Sequence, residues 1–260
     1  WKQRALAGLL ALVLCFAFAP LSSFAAEEYD TQGATVFLFS DGGISVNKGN
    51  YEGYQISGTA LTISEGGTYV LSGSCADGSV TVKKGTKGVT LVLEGISLTS
   101  ADTAPLCFNK STEVTVVVAS GTQNTLSDSE KNNDDTYPEN ERAENAVLKC
   151  KDGSAVTLCG GGALSLSANG KNGIKSGASP EEEGEASLTI RQLTLNITAQ
   201  VNDAINAEQL LQIESGTLNI TAADDAIHCD RVMQIGAKET AGPTIDITQC
   251  YEGLEAAELN

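Results

Sequence analysis

Three short stretches repeat one pattern of acids, amides and small aliphatics: NDAINAE at 202–208, DDAIHCD at 224–230 and YEGLEAAE at 251–258. Aligned with an earlier NGIK, they put Ile174, Ile205, Ile227 and Leu254 in one column, preceded by Gly173, Ala204, Ala226 and Gly253. The position before that holds Asn172, Asp203, Asp225 and Glu252, so an oxygen-bearing side chain recurs in every unit. Lys171, Asn202, Asp224 and Tyr251 stand one place earlier, and Lys175, Asn206, His228 and Glu255 follow the column. Carboxylates stacked about 5 Å apart repel by about 3 kcal/mol per contact at an effective dielectric of about 20. A hard divalent cation offsets that repulsion: calcium bonds oxygen at roughly 2.3–2.6 Å, so one ion between two such turns touches both. The candidate ligands are Asn172, Asn202, Asp203, Asp224, Asp225, Asp230, Glu252 and Glu255, with Asn206 and Glu208 nearby. Asn and Asp also favour tight corners for their own sake, because they tolerate left-handed backbone and bond their own main chain. That accounts for Asn172 and explains a column of adjacent acids poorly.

Such a column needs elements that repeat. SLTIRQLTLNITAQVNDAINAE (187–208) is followed by QLLQIESGTLNITAADDAIHCD (209–230) and RVMQIGAKETAGPTIDITQCYEGLEAAE (231–258). Ile190, Ile213 and Ile235 recur at intervals of 23 and 22 residues, and Ile205, Ile227 and Leu254 at 22 and 27. The longer step takes up an insertion around AKETAGP. Looser versions precede them in VTLVLEGISLTS (89–100), VTVVVASGTQNTLSDS (114–129) and VTLCGGGALSLSANGKNGIKS (156–176). Each holds two short alternating runs rich in Thr, Val and Ile, the pattern of half-buried strands and too short for helices. Units of this size are too small for a propeller blade of about 40 residues or more. The expected fold is all-β, a right-handed parallel β-helix with rungs of 22–27 residues, whose coils stack an aliphatic column about 4.8 Å per step. The acidic segments at 127–145 and 178–186 interrupt the stack and read as solvated loops, or else as a lip over a ligand groove.

With 27 Gly, 5 Pro and 5% aromatics in 260 residues, the core must be aliphatic. The 16 Lys and Arg against 33 Asp and Glu leave a net charge of -17, which disfavours nucleic acid and anionic membrane surfaces as partners. Lys2, Arg4, the apolar run 5–19 and the small residues ending at Ala25 read as a signal peptide over 1–25, with the mature domain over 26–260. Its removal deepens the charge to -19, by the loss of Lys2 and Arg4. No second hydrophobic span follows, so a secreted or cell-surface protein without stable membrane insertion is expected. Leu14 ahead of Cys15 speaks against lipid attachment there. Cys75, Cys107, Cys150, Cys159, Cys229 and Cys250 show no zinc spacing, and in an exported chain they are either paired or buried thiols. Because Asn260 falls where another strand would start, further coils are expected beyond it.

The order TYVLSGSCADGSVTV, LVLEGISL, GTQNTLSD, GGGALSLSANGKNGIKS, NDAINAE, DDAIHCD and YEGLEA resembles an exported bacterial carbohydrate-binding domain family, formerly a domain of unknown function, over about residues 34–260. The resemblance implies a β-helix similar to calcium-dependent pectate lyases, several calcium ions, and binding without cleavage of plant cell-wall polysaccharide. The ligands it implies are acidic sugars such as polygalacturonate, the backbone of pectin, and also cellulose. It carries the calcium ligands onto Asp203, Asp224, Asp225, Glu252 and Glu255, and less closely onto Asn172. A surface this acidic repels polyuronate, so retention needs a shared divalent cation or a local basic patch, for which Lys171 and Lys175 are placed. Two other readings stay open. A calcium-dependent pectate lyase needs a Lys or Arg to take the proton beside the uronate carboxylate, and Lys175, then Arg231, are the candidates. A hydrolase of the polygalacturonase type would show a Gly-His-Gly turn and an Arg-x-Lys segment, and neither occurs. The other class is a structural surface adhesin in which the coil is a stiff spacer.

Overall fold

The computed structural model describes residues 31–49, 52–238 and 241–260. The expected signal peptide and Cys15 lie outside these residues. Every alternating run becomes a short strand, because Gly, Ser and Asn punctuate the chain between runs. The first are β1 (Thr35–Ser40), β2 (Gly43–Lys48), β3 (Tyr54–Ser57), β4 (Ala60–Ile63) and β5 (Gly67–Cys75). Next come β6 (Ser79–Val82), β7 (Val89–Thr99), β8 (Leu106–Phe108), β9 (Glu113–Val118), β10 (Gln123–Ser127) and β11 (Ala146–Cys150). They are followed by β12 (Ala155–Gly160), β13 (Ala163–Ala168), β14 (Asn172–Ser176), β15 (Ser187–Ile190) and β16 (Thr194–Ala199). The last are β17 (Ile205–Ala207), β18 (Leu210–Ile213), β19 (Thr217–Ala222), β20 (Ile227–Ile235), β21 (Thr244–Gln249) and β22 (Leu254–Leu259).

Two antiparallel hairpins, β1 with β2 and β3 with β4, begin the fold; the sequence reading did not anticipate them. The later pairings are parallel and follow one rule: each strand pairs with the strand one coil further on. β10, β13, β16, β19 and β21 form one run. β8, β11, β14, β17, β20 and β22 form a second. β9, β12, β15 and β18 form a third, which joins the end of β20. The described strands make one 22-stranded, mostly parallel sheet that does not close into a barrel, with no helix among the described residues. This is a solenoid-like architecture, in which each coil is stable only against its neighbours.

Register follows the aliphatic pattern, because a one-residue slip would turn every inward side chain outward. Ile174 faces Ile205, Ile205 faces Ile227, and Ile227 faces Leu254. Ile190, Ile213 and Ile235 align in the same way. Most of these side chains join one continuous buried core, each contributing about 1.5–3 kcal/mol by its removal from water. On the outer face Asn219 Nδ2 donates to Asn196 Oδ1 (2.8 Å) and Asn196 Nδ2 to Ser165 Oγ (3.1 Å), a ladder that links coils by side-chain hydrogen bonds.

The 127–145 segment is more than a solvated loop. Asp128, Asn132 and Asn133 are buried. Asp128 Oδ1 accepts the Asn169 and Gly170 N–H groups, and Asn132 Oδ1 accepts those of Glu144 and Asn145. Asn133 Nδ2 reaches the Gly170 carbonyl. The segment is thus hydrogen-bonded down onto the corner that precedes β14. The 178–186 segment is tied by Glu183, whose carboxylate meets Lys84 Nζ at 2.9 Å and Ser111 Oγ at 2.8 Å. No disulfide joins the six cysteines among the described residues, five of which are buried. No helix among the described residues is long and apolar enough to cross a membrane.

Candidate functional site

The corner turns lie between β13 and β14, β16 and β17, β19 and β20, and β21 and β22, the last three carrying the acids, and their backbone continues the ladder around the corner. Gly173 N–H donates to the Asp203 carbonyl, Ala204 N–H to Asp225, and Ala226 N–H to Glu252, at 3.0, 3.0 and 2.9 Å. Ile174, Ile205 and Ile227 bond in turn to Ala204, Ala226 and Gly253. The small residue before each column member has a steric cause. A Cβ on Gly173 would stand 2.5 Å from the Ala204 carbonyl oxygen and 2.5 Å from Ile197 Cγ2, and Ala204 and Ala226 are themselves fully buried. This continuous corner ladder holds Asp203 and Asp225 one above the other.

Asp203 is 4% exposed and Asp225 8%. Asp203 Oδ1 accepts the Asp225 N–H at 3.2 Å, and its Oδ2 accepts Asn206 Nδ2 at 2.6 Å. Asp203, Asp224 and Asp225 each offer a carboxylate oxygen, all within 4.8 Å of one another. Burial first, then the charges of Asp203 and Asp224, push the Asp225 carboxyl above its ordinary range. Among the described residues no Lys or Arg pairs with Asp203 or Asp224. Two buried acids and one exposed acid, none paired with a Lys or Arg among the described residues, form an all-oxygen donor set, the chemistry that suits a hard divalent cation.

His228 organises the adjoining group. Its Nδ1 lies 2.7 Å from Glu255 Oε2 and 3.4 Å from Asp225 Oδ2, and its Nε2 lies 2.9 Å from Asp230 Oδ1. Burial opposes the charged ring, but the hydrogen bonds to Asp230 and Glu255 outweigh it and raise the pKa to about 9. At neutral pH the imidazolium is therefore the cation between Glu255, Asp230 and the outer side of Asp225. Asp225, His228 and Glu255 also present ligand atoms within 4.8 Å, but a protonated ring has no lone pair for a metal.

The expected ligand residues thus fall into three groups, with Glu252 apart. Asp203, Asp224 and Asp225 come together, while Asp230 and Glu255 surround His228. Asn202, next to Asp203 in the same turn, donates from Nδ2 to Oδ1 of Asn172 one coil earlier at 2.8 Å, and Asn172 also donates to the Asn145 carbonyl. Glu252 is exposed, and its carbonyl receives the Ala226 N–H. The candidate base Lys175 is half-buried and paired with Glu208 at 3.2 Å. Arg231 is exposed. Lys171 is held by Asp135 of the 127–145 segment, so it forms no free patch with Lys175. Two residues escaped the sequence reading as site residues. His228 was noted only by its place after the column, and its proximity to Asp230 two residues on was the available signal. Lys149, directly opposite Lys175, was hidden by the long insertion before it.

Residues 57–259 match the family model described as carbohydrate-binding domain-containing protein. The chain belongs to that family. A curated family relative, a carbohydrate-binding domain-containing protein of Acetivibrio thermocellus, is 32% identical over 130 residues, half of this chain and 44% of the relative. The match therefore spans less than half of that relative. A solved structure titled as the polysaccharide lyase-like protein from C. thermocellum, gadolinium derivative, aligns with a TM-score of 0.62 at 23% identity, over 87% of this chain and 96% of that one. That likeness is one of fold. Family membership makes a carbohydrate the expected class of partner.

Proposed function

We propose that this is a secreted or cell-surface, non-catalytic, calcium-dependent binder of plant cell-wall polysaccharide, built on a right-handed parallel β-helix, with polygalacturonate or pectin as the main ligand and cellulose as a second. The observation that carries the calcium reading is the meeting of Asp203, Asp224 and Asp225, with no Lys or Arg pairing with any of them among the described residues. These three would hold the ion, with Asn202, Asn206 and Asn172 beside them, and Asp230, Glu252 and Glu255 are proposed for further ions along the same corner. A bound calcium supplies the positive charge that a uronate carboxylate needs on a chain of net charge -17. The test is retention on immobilised polygalacturonate and on cellulose, with calcium and then with chelator. Retention of polygalacturonate that disappears with chelator is expected, and equal retention in both conditions would remove the ion from the reading.

The fold neighbour's title favours one second reading, a polysaccharide lyase. Against it, Lys175 is engaged by Glu208 rather than poised free for proton abstraction. The absence of ultraviolet-absorbing unsaturated products after prolonged incubation with polygalacturonate and calcium is the expected outcome.

A further inference from the structure

Directly outside the Leu148–Ile174–Ile205 column runs a second column, pointing outward: Cys107, Lys149, Lys175, Asn206, His228 and Glu255. At its start three lysines crowd together, since Lys151 is two residues along the chain from Lys149, just past the end of β11, and Lys175 lies opposite Lys149 on the next coil. Two of them are neutralised, Lys151 by Glu144 at 2.7 Å and Lys175 by Glu208 at 3.2 Å. Lys149 makes no ion pair among the described residues, although Glu144 and Glu208 are close enough for their fields to act on it. Burial, and then the charge of Lys175, lower its ammonium below the usual lysine range. Beneath it Cys107 is buried, and burial with the nearby Glu144 pushes that thiol up to about 12, so the thiol carries no charge that could answer the lysine.

This spot therefore holds three ammonium groups and two carboxylates on a chain whose total is strongly negative. An unmatched, half-desolvated cation is costly unless an anion completes it. The charge imbalance there calls for a single negative charge with oxygen acceptors. Among carbohydrates, the carboxylate of an acidic sugar has that chemistry.

We propose that Lys149, supported by Lys175, is a docking point for a uronate carboxylate of the bound polysaccharide. The site recognises the anion directly, without a metal, and lies on the two coils before the one that carries Asn206 and Asp203. The inference rests on the acidic-sugar reading above and adds a determinant that the calcium group does not supply. It predicts that the protein tells free polygalacturonate from its methyl ester through a lysine.

The experiment measures binding of short oligogalacturonates, and of the same oligomers methyl-esterified, to the unsubstituted chain, to Lys149→Met and to Lys149→Arg, each with calcium and with chelator. Lys149→Met keeps most of the apolar stem and removes the charge. Its affinity for the free acid should fall about tenfold, the size of a charge-assisted hydrogen bond, with binding of the ester unchanged. Lys149→Arg should restore most of the loss, and a calcium titration without sugar should be the same for all three. If Lys149→Met binds the free acid as the unsubstituted chain does, the docking point is refuted and the calcium reading stands. A loss shared equally by acid and ester also refutes it, because it marks altered shape rather than lost charge. Binding indifferent to chelator but weakened in Lys149→Met would end the calcium bridge and leave the lysine site intact, and no binding by the unsubstituted chain would end both.

Discussion

His228 shows how one side chain changes the chemistry of an acidic corner. The ordinary imidazole pKa of 6.5 is raised to about 9, against the effect of burial, by Asp230 and Glu255. Because the folded value lies above the unfolded one, the stabilisation is complete below about pH 6.5 and is lost as the pH rises through about 9. The gain is on the order of 1 kcal/mol or less, since Asp230 and Glu255 are about half exposed and water screens them. In chelator, unfolding midpoints measured across that range should decline for the unsubstituted chain and stay flatter for His228→Gln. A parallel decline in both would show that the imidazolium does not hold these carboxylates. The three-aspartate group is the opposite case, because nothing basic answers Asp203 or Asp224.

At the scale of the element, the corner is positioned by what lies beneath it. Ile205 is fully buried between Ile174 and Ile227, and the Asp203 turn leads directly into it. Truncation to Ala leaves a void that the stacked coils on either side cannot close. Ile205→Ala should cost about 2–5 kcal/mol in denaturant unfolding and weaken calcium retention with it. Leu254 occupies the equivalent position in β22 but is 41% exposed, so Leu254→Ala should cost less than about 1 kcal/mol. Equal losses at the two positions would mean that the column does not pack as a graded stack. The alternation of Ile and Leu made this column legible from the sequence, because register and burial both follow from which face an aliphatic occupies. The buried Asp128, Asn132 and Asn133 were not legible in the same way. Their segment is polar throughout, and polar residues look alike whether they bond water or the backbone of a neighbouring turn.

Across the whole molecule, a large negative charge is gathered on a fold whose coils depend on one another. The raised carboxyl of Asp225 means that its ionised form is less favoured in the metal-free fold than in the unfolded chain. A cation that binds the folded chain alone stabilises it by about 2.7 kcal/mol at a hundredfold excess over Kd. For a chain of this length that is a rise in Tm of about 5–10 °C. Asp225→Asn should lose most of this rise while being no less stable than the unsubstituted chain in chelator, because it removes like-charge repulsion and keeps the shape. A full calcium-induced rise in Asp225→Asn would exclude that carboxylate as a ligand.

The sequence by itself determined the repeating strands from residue 89 on, the stacking of Ile174, Ile205, Ile227 and Leu254, and the crowding of acids before them, because each of these follows from periodicity along the chain. Only the tertiary structure decided how the charges are shared out. It joined Asp224 to Asp203 and Asp225, set Asp230 and Glu255 around His228, closed Lys171 against Asp135 and Lys175 against Glu208, and left Lys149 without an ion-pair partner among the described residues. Electrostatic partners are chosen by distance across coils and by access to water, and those quantities exist only once the chain has wound back on itself.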